Sequence, residues 1–94
     1  MTLLTAAAPP PRLGDLLKMW RSKRRMSQLE LAGAAGVSAR HLSFVETGRA
    51  KPSREMVLHL AEHLDVPLRD RNVLLTAAGF APQYRESPLD APEL

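Results

Sequence analysis

Residues 27–48 read SQLELAGAAGVSARHLSFVETG, from Ser27 to Gly48. Ser27 is a strong helix-starting residue and Glu30 follows three positions later. In such a Ser-x-x-Glu capping box, each side chain takes up a backbone N–H of the first turn. A helix is therefore expected over Gln28–Ala35. Gly36 can adopt the left-handed conformation that ends it, and Ser38 can cap a second helix over 38–47, closed by Gly48. Two short helices thus meet across a turn of about three or four residues.

The rest of the chain suits the same architecture. Its 94 residues allow one domain, and about seventy remain for a core once loose ends are set aside. Leu, Val, Met and Ala dominate the apolar set, and no run of alternating β-branched residues reads as a strand. The expected fold is all-α, a compact five-helix bundle. There is no cysteine, which removes disulfides, thiolate zinc sites and thiol catalysis and is compatible with a reducing cytoplasm. MTLLTAAAPPP at residues 1–11 lacks the basic start and apolar length of a signal peptide, and nothing is long enough to cross a membrane. The chain is expected to be cytoplasmic and nucleoid-associated.

Residues 1–11 carry no charged side chain, end in three prolines, and read as a flexible arm. A helix over Arg12–Arg25 would bury Leu13, Leu16, Leu17 and Trp20. In the next helix Leu31, Ala32 and Ala35 would pack inward. After Gly48, RAKPS reads as a short loop into a helix over Arg54–Leu64 with Val57, Leu60, Ala61 and Leu64 inside. Pro67–Ala78 completes the set, ended by Gly79. Its Leu68, Val73, Leu74 and Leu75 exceed what one buried stripe needs, which points to a subunit interface. Residues 12–80 would form the domain and 81–94 a proline-rich tail or linker.

Charge is uneven. Arg12–Arg25 holds six basic residues against one acid, Met26–Arg54 four against two, and Glu55–Leu94 three against seven. Charge alone describes a solvated face. The spacing around Gly36 is that of a helix-turn-helix, whose second helix lies in the DNA major groove, and this gives the basic flanks a polyanionic partner.

At 100° per residue Leu42 and Val45 face inward, while Arg40, Ser43, Phe44 and Thr47 face outward. An arginine suits guanine O6 and N7, and an aromatic suits the thymine methyl; Phe44 covering a dimer contact is the competing reading. Ala39 is small enough to approach a thymine methyl. The residues alone thus single out Ala39, Arg40 and Phe44 as base-reading candidates. Gln28, Ser38, His41, Arg49 and Lys51 are the phosphate-contacting candidates; Gln28 begins a helix where N–H groups and dipole favour an anion. Each also has an ordinary role as an exposed polar side chain; Arg54, in a first turn where the helix dipole opposes a cation, is a weaker phosphate candidate whose ordinary role is a solvated side chain.

His59, Glu62 and His63 spell H-x-x-E-H, the order of an inverted zinc-protease motif. No third ligand is evident and both imidazoles point away from the buried stripe, so they read as solvated. No catalytic residue, metal or cofactor is expected.

Arg21, SQLELA, GVS, HLSFVETG, and KPS followed by MVLHLAEHLDVP together resemble the Cro/repressor, or xenobiotic-response-element, type of helix-turn-helix transcription regulator, over about Leu13–Gly79. The resemblance implies five helices and a homodimer on a two-fold double-stranded DNA site. It also implies that Gln28 and Thr47 hold phosphates, that Ala39, Arg40, Ser43 and Phe44 form the base-reading set, that Arg49 and Lys51 grip the backbone, and that Arg21 pairs with Glu46. A carboxylate on the inner side of its helix needs such a cation. Ala39 and Phe44 stand where glutamines often read bases, so no operator sequence carries over. The stretches ARHLSFVETG and RNVLLTAAGFAPQY also look like the N-terminal part of longer bacterial regulators with a ligand-sensing domain. An antitoxin or adaptor that uses the fold for a protein partner is the alternative.

Overall fold

The computed structural model describes residues 10–84. Five α-helices follow in order, α1 (Leu13–Arg24), α2 (Gln28–Ala35), α3 (Ala39–Thr47), α4 (Arg54–His63) and α5 (Leu68–Ala77). The described residues contain no strand. Most of the expected N-terminal arm, and the tail beyond Tyr84, lie outside the described residues.

The local start and stop signals act as the residues dictate. Ser27 Oγ accepts from the Glu30 N–H at 3.0 Å, and Glu30 Oε1 accepts from the Ser27 N–H at 2.7 Å. Gly36 ends α2 at φ 72°, and Ser38 Oγ caps α3 through the His41 N–H at 2.9 Å. Two terminations depart from the glycine pattern. Arg25 and Asp65 both sit at φ 56°, a conformation that costs a residue with a Cβ roughly 1–2 kcal/mol. Arg24 binds the second of these bends: its Nε and Nη2 donate to the carbonyls of Leu64 and Asp65, each at 2.7 Å. Such carbonyls have no partner within their own helix.

The core gathers one face of every helix. Leu17, Leu31, Leu42, Val57, Leu60, Leu64, Val66, Leu74 and Leu75 are fully buried, and Leu13, Trp20, Ala32, Ala35, Val45 and Ala61 join them. α1 and α2 both pack on α3, α4 packs on α2 and α5, and α1 touches α5. α1 crosses α3 at close range: a Cβ on Gly14 would collide with the Glu46 carbonyl. Of the four surplus apolar residues on α5, Leu74 and Leu75 are core, whereas Leu68 and Val73 stay 54% and 44% exposed.

Beyond α5 the chain turns back. Asn72, only 3% exposed, accepts from the N–H groups of Gln83 and Tyr84 at 2.9 Å and donates to the Tyr84 carbonyl at 2.7 Å. Arg54 lies over the Phe80 ring at 5.5 Å and reaches Gln83 Oε1 at 3.4 Å. Arg54, a weaker phosphate candidate or else a solvated side chain on the residues alone, makes these contacts to the returning segment at the surface.

Candidate nucleic-acid interface

α3 is held from behind by a charged network. Glu46 has a side chain with no exposed surface. Its carboxylate accepts from Arg21 Nε at 2.7 Å and Nη2 at 2.9 Å, a two-point contact with a planar guanidinium. Gln28 Nε2 adds a third donor at 2.9 Å. Arg21 also donates to the Met26 carbonyl at 3.1 Å. The Glu46 hydrogen bond and charge raise the Arg21 pKa above its ordinary value against the opposing effect of burial. The network ties α1, the start of α2, and α3 together. The pairing of Arg21 with Glu46 is as the resemblance implied.

Gln28 therefore has a duty that the residues alone did not reveal. One amide hydrogen goes to Glu46, leaving the second, together with the Gln28 and Leu29 N–H groups that the capping box does not take up, for an anion. Ser38 accepts with its oxygen and keeps its hydroxyl hydrogen to donate. Thr47 is different: its hydroxyl donates to the Ser43 carbonyl at 3.0 Å or the Phe44 carbonyl at 3.3 Å. It must release that bond to donate to a phosphate oxygen.

On the outward side of α3, Arg40 and Thr47 are exposed, and His41, Ser43 and Phe44 are half-buried. Ala39 is half-buried against the core. Phe44 lies under two cations, with the guanidinium carbons of Arg40 and Arg49 at 5.3 and 4.9 Å from its ring centroid. Lys51 is exposed in the loop that follows. The structure thus gathers Arg40, Ser43, Phe44, Thr47 and Arg49 around the exposed side of one helix and its terminating turn.

The basic run of α1 contributes less to this face than its charge suggests. Arg21 is neutralised by Glu46 and Arg24 is spent on carbonyls; Lys23 and Arg24 also lie at 5.2 and 5.3 Å from the Trp20 ring. Both histidines are exposed, as the residues indicated, and His59 in addition places Nε2 2.7 Å from the Ala35 carbonyl. A carbonyl only accepts, so that nitrogen carries the proton. The contact satisfies the last carbonyl of α2, beside the turn at Gly36. His63 packs edge-on to the His59 ring at 4.7 Å. Among the described residues no three His, Cys, Asp or Glu side chains gather as a metal site, and no helix is long and apolar enough to cross a membrane.

Reasoning from the residues did not single out Arg24, His59, Asn72 or Gly14 for these roles. Only Gly14 carried a local signal, as a lone glycine inside a helix that invites close backbone approach.

Known proteins share this arrangement. The sequence pattern of the helix-turn-helix domain matches residues 12–74. The ImmF control region 10 kDa protein of Bacillus phage phi105 is 36% identical over 63 residues, which span 67% of each chain. The crystal structure of the clp gene regulator ClgR from C. glutamicum superposes with a TM-score of 0.61 at 35% identity, covering 78% of this chain and 96% of that one.

Proposed function

The chain belongs to the helix-turn-helix domain family, and from that premise we propose that it is a cytoplasmic, nucleoid-associated transcription regulator that binds double-stranded DNA sequence-specifically as a homodimer. The observation that carries this reading is the division of α3. Leu42, Val45 and Glu46 are buried on one side, and Arg40, Ser43 and Phe44 stand on the other. A helix fixed by its inner face and lined with donors on its outer face suits the major groove.

In this reading Ala39, Arg40, Ser43 and Phe44 face bases, and Gln28, Ser38, His41, Thr47, Arg49 and Lys51 contact phosphates. The chain's own residues supply the binding, and no catalytic step is assigned to them. Base contacts discriminate sequences and phosphate contacts do not, so the two sets separate in one experiment. Sites are selected from random duplex DNA, and variants are measured on the selected site and on mismatched sites across salt concentrations. Arg40→Ala is expected to cost about 1–3 kcal/mol, concentrated at one base pair, whereas Lys51→Ala weakens every sequence and lowers the salt slope by about one. Equal loss on all sequences for Arg40→Ala overturns the assignment of base reading to α3.

The 54% and 44% exposure of Leu68 and Val73 favours a second reading, in which α5 meets a different protein and DNA binding is secondary. A stoichiometric partner that blocks DNA binding supports it.

A further inference from the structure

Two unrelated pieces of backbone geometry bring Arg40 and Arg49 to the same aromatic ring. Arg40 precedes Phe44 by four residues, which places both on one face of α3, one turn apart. Arg49 arrives from the other end. Gly48 takes φ 81°, its N–H donates to the Val45 carbonyl at 3.3 Å, and the Arg49 N–H donates to the Phe44 carbonyl at 2.8 Å. This pair of bonds closes a helix so that the residue after the glycine packs over the residue five positions before it, usually as an apolar contact. Here the contact is a guanidinium against a phenyl ring.

The other well-placed arginines of the bundle, Arg21 and Arg24, spend their donors on a carboxylate and on carbonyls. Among the described residues, Arg40 and Arg49 have the ring as their partner. The π face attracts the cation without using its N–H groups, so every donor of both guanidiniums stays available to acceptors on DNA. Stacking also restricts two long side chains before binding, which lowers the ordering cost of the complex.

We infer that Phe44 is a positioning residue that sets affinity and specificity through Arg40 and Arg49, acting as the platform for both guanidiniums rather than through its own contact with a thymine methyl. The inference rests on the reading of α3 as the DNA-facing helix. It predicts that the ring face matters and that its apolar bulk does not. Phe44→Leu keeps an apolar group but removes the face; Phe44→Tyr keeps the face.

The test uses the full chain and the duplex it selects from random DNA, made once with thymine and once with deoxyuridine, which lacks the methyl group. Phe44→Leu is expected to weaken binding about tenfold on both duplexes, and Phe44→Tyr by no more than about twofold. In an Arg40→Ala or Arg49→Ala background the Phe44→Leu loss is expected to shrink to about threefold or less, the mark of coupled groups. In the free protein, the side-chain protons of Arg40 and Arg49 should show upfield ring-current shifts that survive in Phe44→Tyr and vanish in Phe44→Leu. Additive losses, or a Phe44→Leu loss that disappears on deoxyuridine DNA, overturn the inference while leaving the DNA-reading helix in place. A wild-type chain that selects no sequence overturns that reading and this inference with it.

Discussion

Glu46 is the residue on which the reading face depends, although it faces away from it. Three donors from two other segments converge on a carboxylate that has no exposed side-chain surface. Removing one partner of such a pair strands a charge in the interior, at a cost of about 3–5 kcal/mol, against a total stability of about 5–15 kcal/mol for a typical domain. Arg21→Ala is therefore expected to move the urea midpoint sharply downward. The paired replacement Arg21→Met with Glu46→Leu should recover most of the loss, because no charge is then buried unpaired, the remainder reflecting the Gln28 amide and the Met26 carbonyl that lose their partners. A paired variant as unstable as Arg21→Ala would show that the network does more than neutralise a buried charge. The upward shift of Arg21 has a definite sign: its contribution is complete below the unfolded-state pKa and is lost only as pH rises through the higher folded one. This guanidinium therefore introduces no pH dependence near neutrality.

At the scale of elements, the crossing of α1 over α3 sets where the reading helix stands. Gly14 allows the two backbones to touch, since an added methyl meets the Glu46 carbonyl rather than a movable side chain. Relief requires the helices to separate, which also stretches the Arg21–Glu46 contact. Gly14→Ala is expected to destabilise by about 1–3 kcal/mol despite the better helix propensity of alanine. DNA affinity should fall further than the loss of folded protein explains, as checked by urea unfolding alongside binding at a temperature where the variant is folded. A neutral or stabilising result would mean that propensity outweighs the clash. The helices themselves were legible because their signals are local: the Ser27–Glu30 box, Gly36, Ser38 and the apolar stripes act within a few residues. The contacts that join helices were less so. Arg24 meets Leu64 and Asp65 some 40 and 41 positions away, His59 meets Ala35 at 24, and Asn72 meets Tyr84 at 12. A side chain bound to a distant carbonyl leaves no spacing to read, and the Arg21–Glu46 pair came from family resemblance for the same reason. On the reading face, the exposure of Arg40 followed from helical projection, but the commitment of Gln28 to Glu46 did not.

For the whole molecule, a single copy presents one short reading helix, and nine residues of α3 offer few contacts to bases. Two copies related by a two-fold axis double those contacts and require a shared surface. The apolar residues left exposed on α5, Leu68 and Val73, suit that surface, because the core has already taken Leu74 and Leu75. Val73 lies in a shallow apolar groove with Thr76, Ala77 and Pro82, on an element whose packing partners are α4 and α1 rather than α3. A partner seated there leaves α3 open to DNA. Val73→Asp should therefore leave the fold intact, since the side chain is already half in water, but place like charges against each other across the axis. Wild-type protein is expected to protect two half-sites about 34–36 Å apart on one face of the duplex. The variant should sediment as a monomer at the same concentration and protect one half-site only at higher protein. A variant that still protects both half-sites at the wild-type concentration would move the dimer contact away from α5.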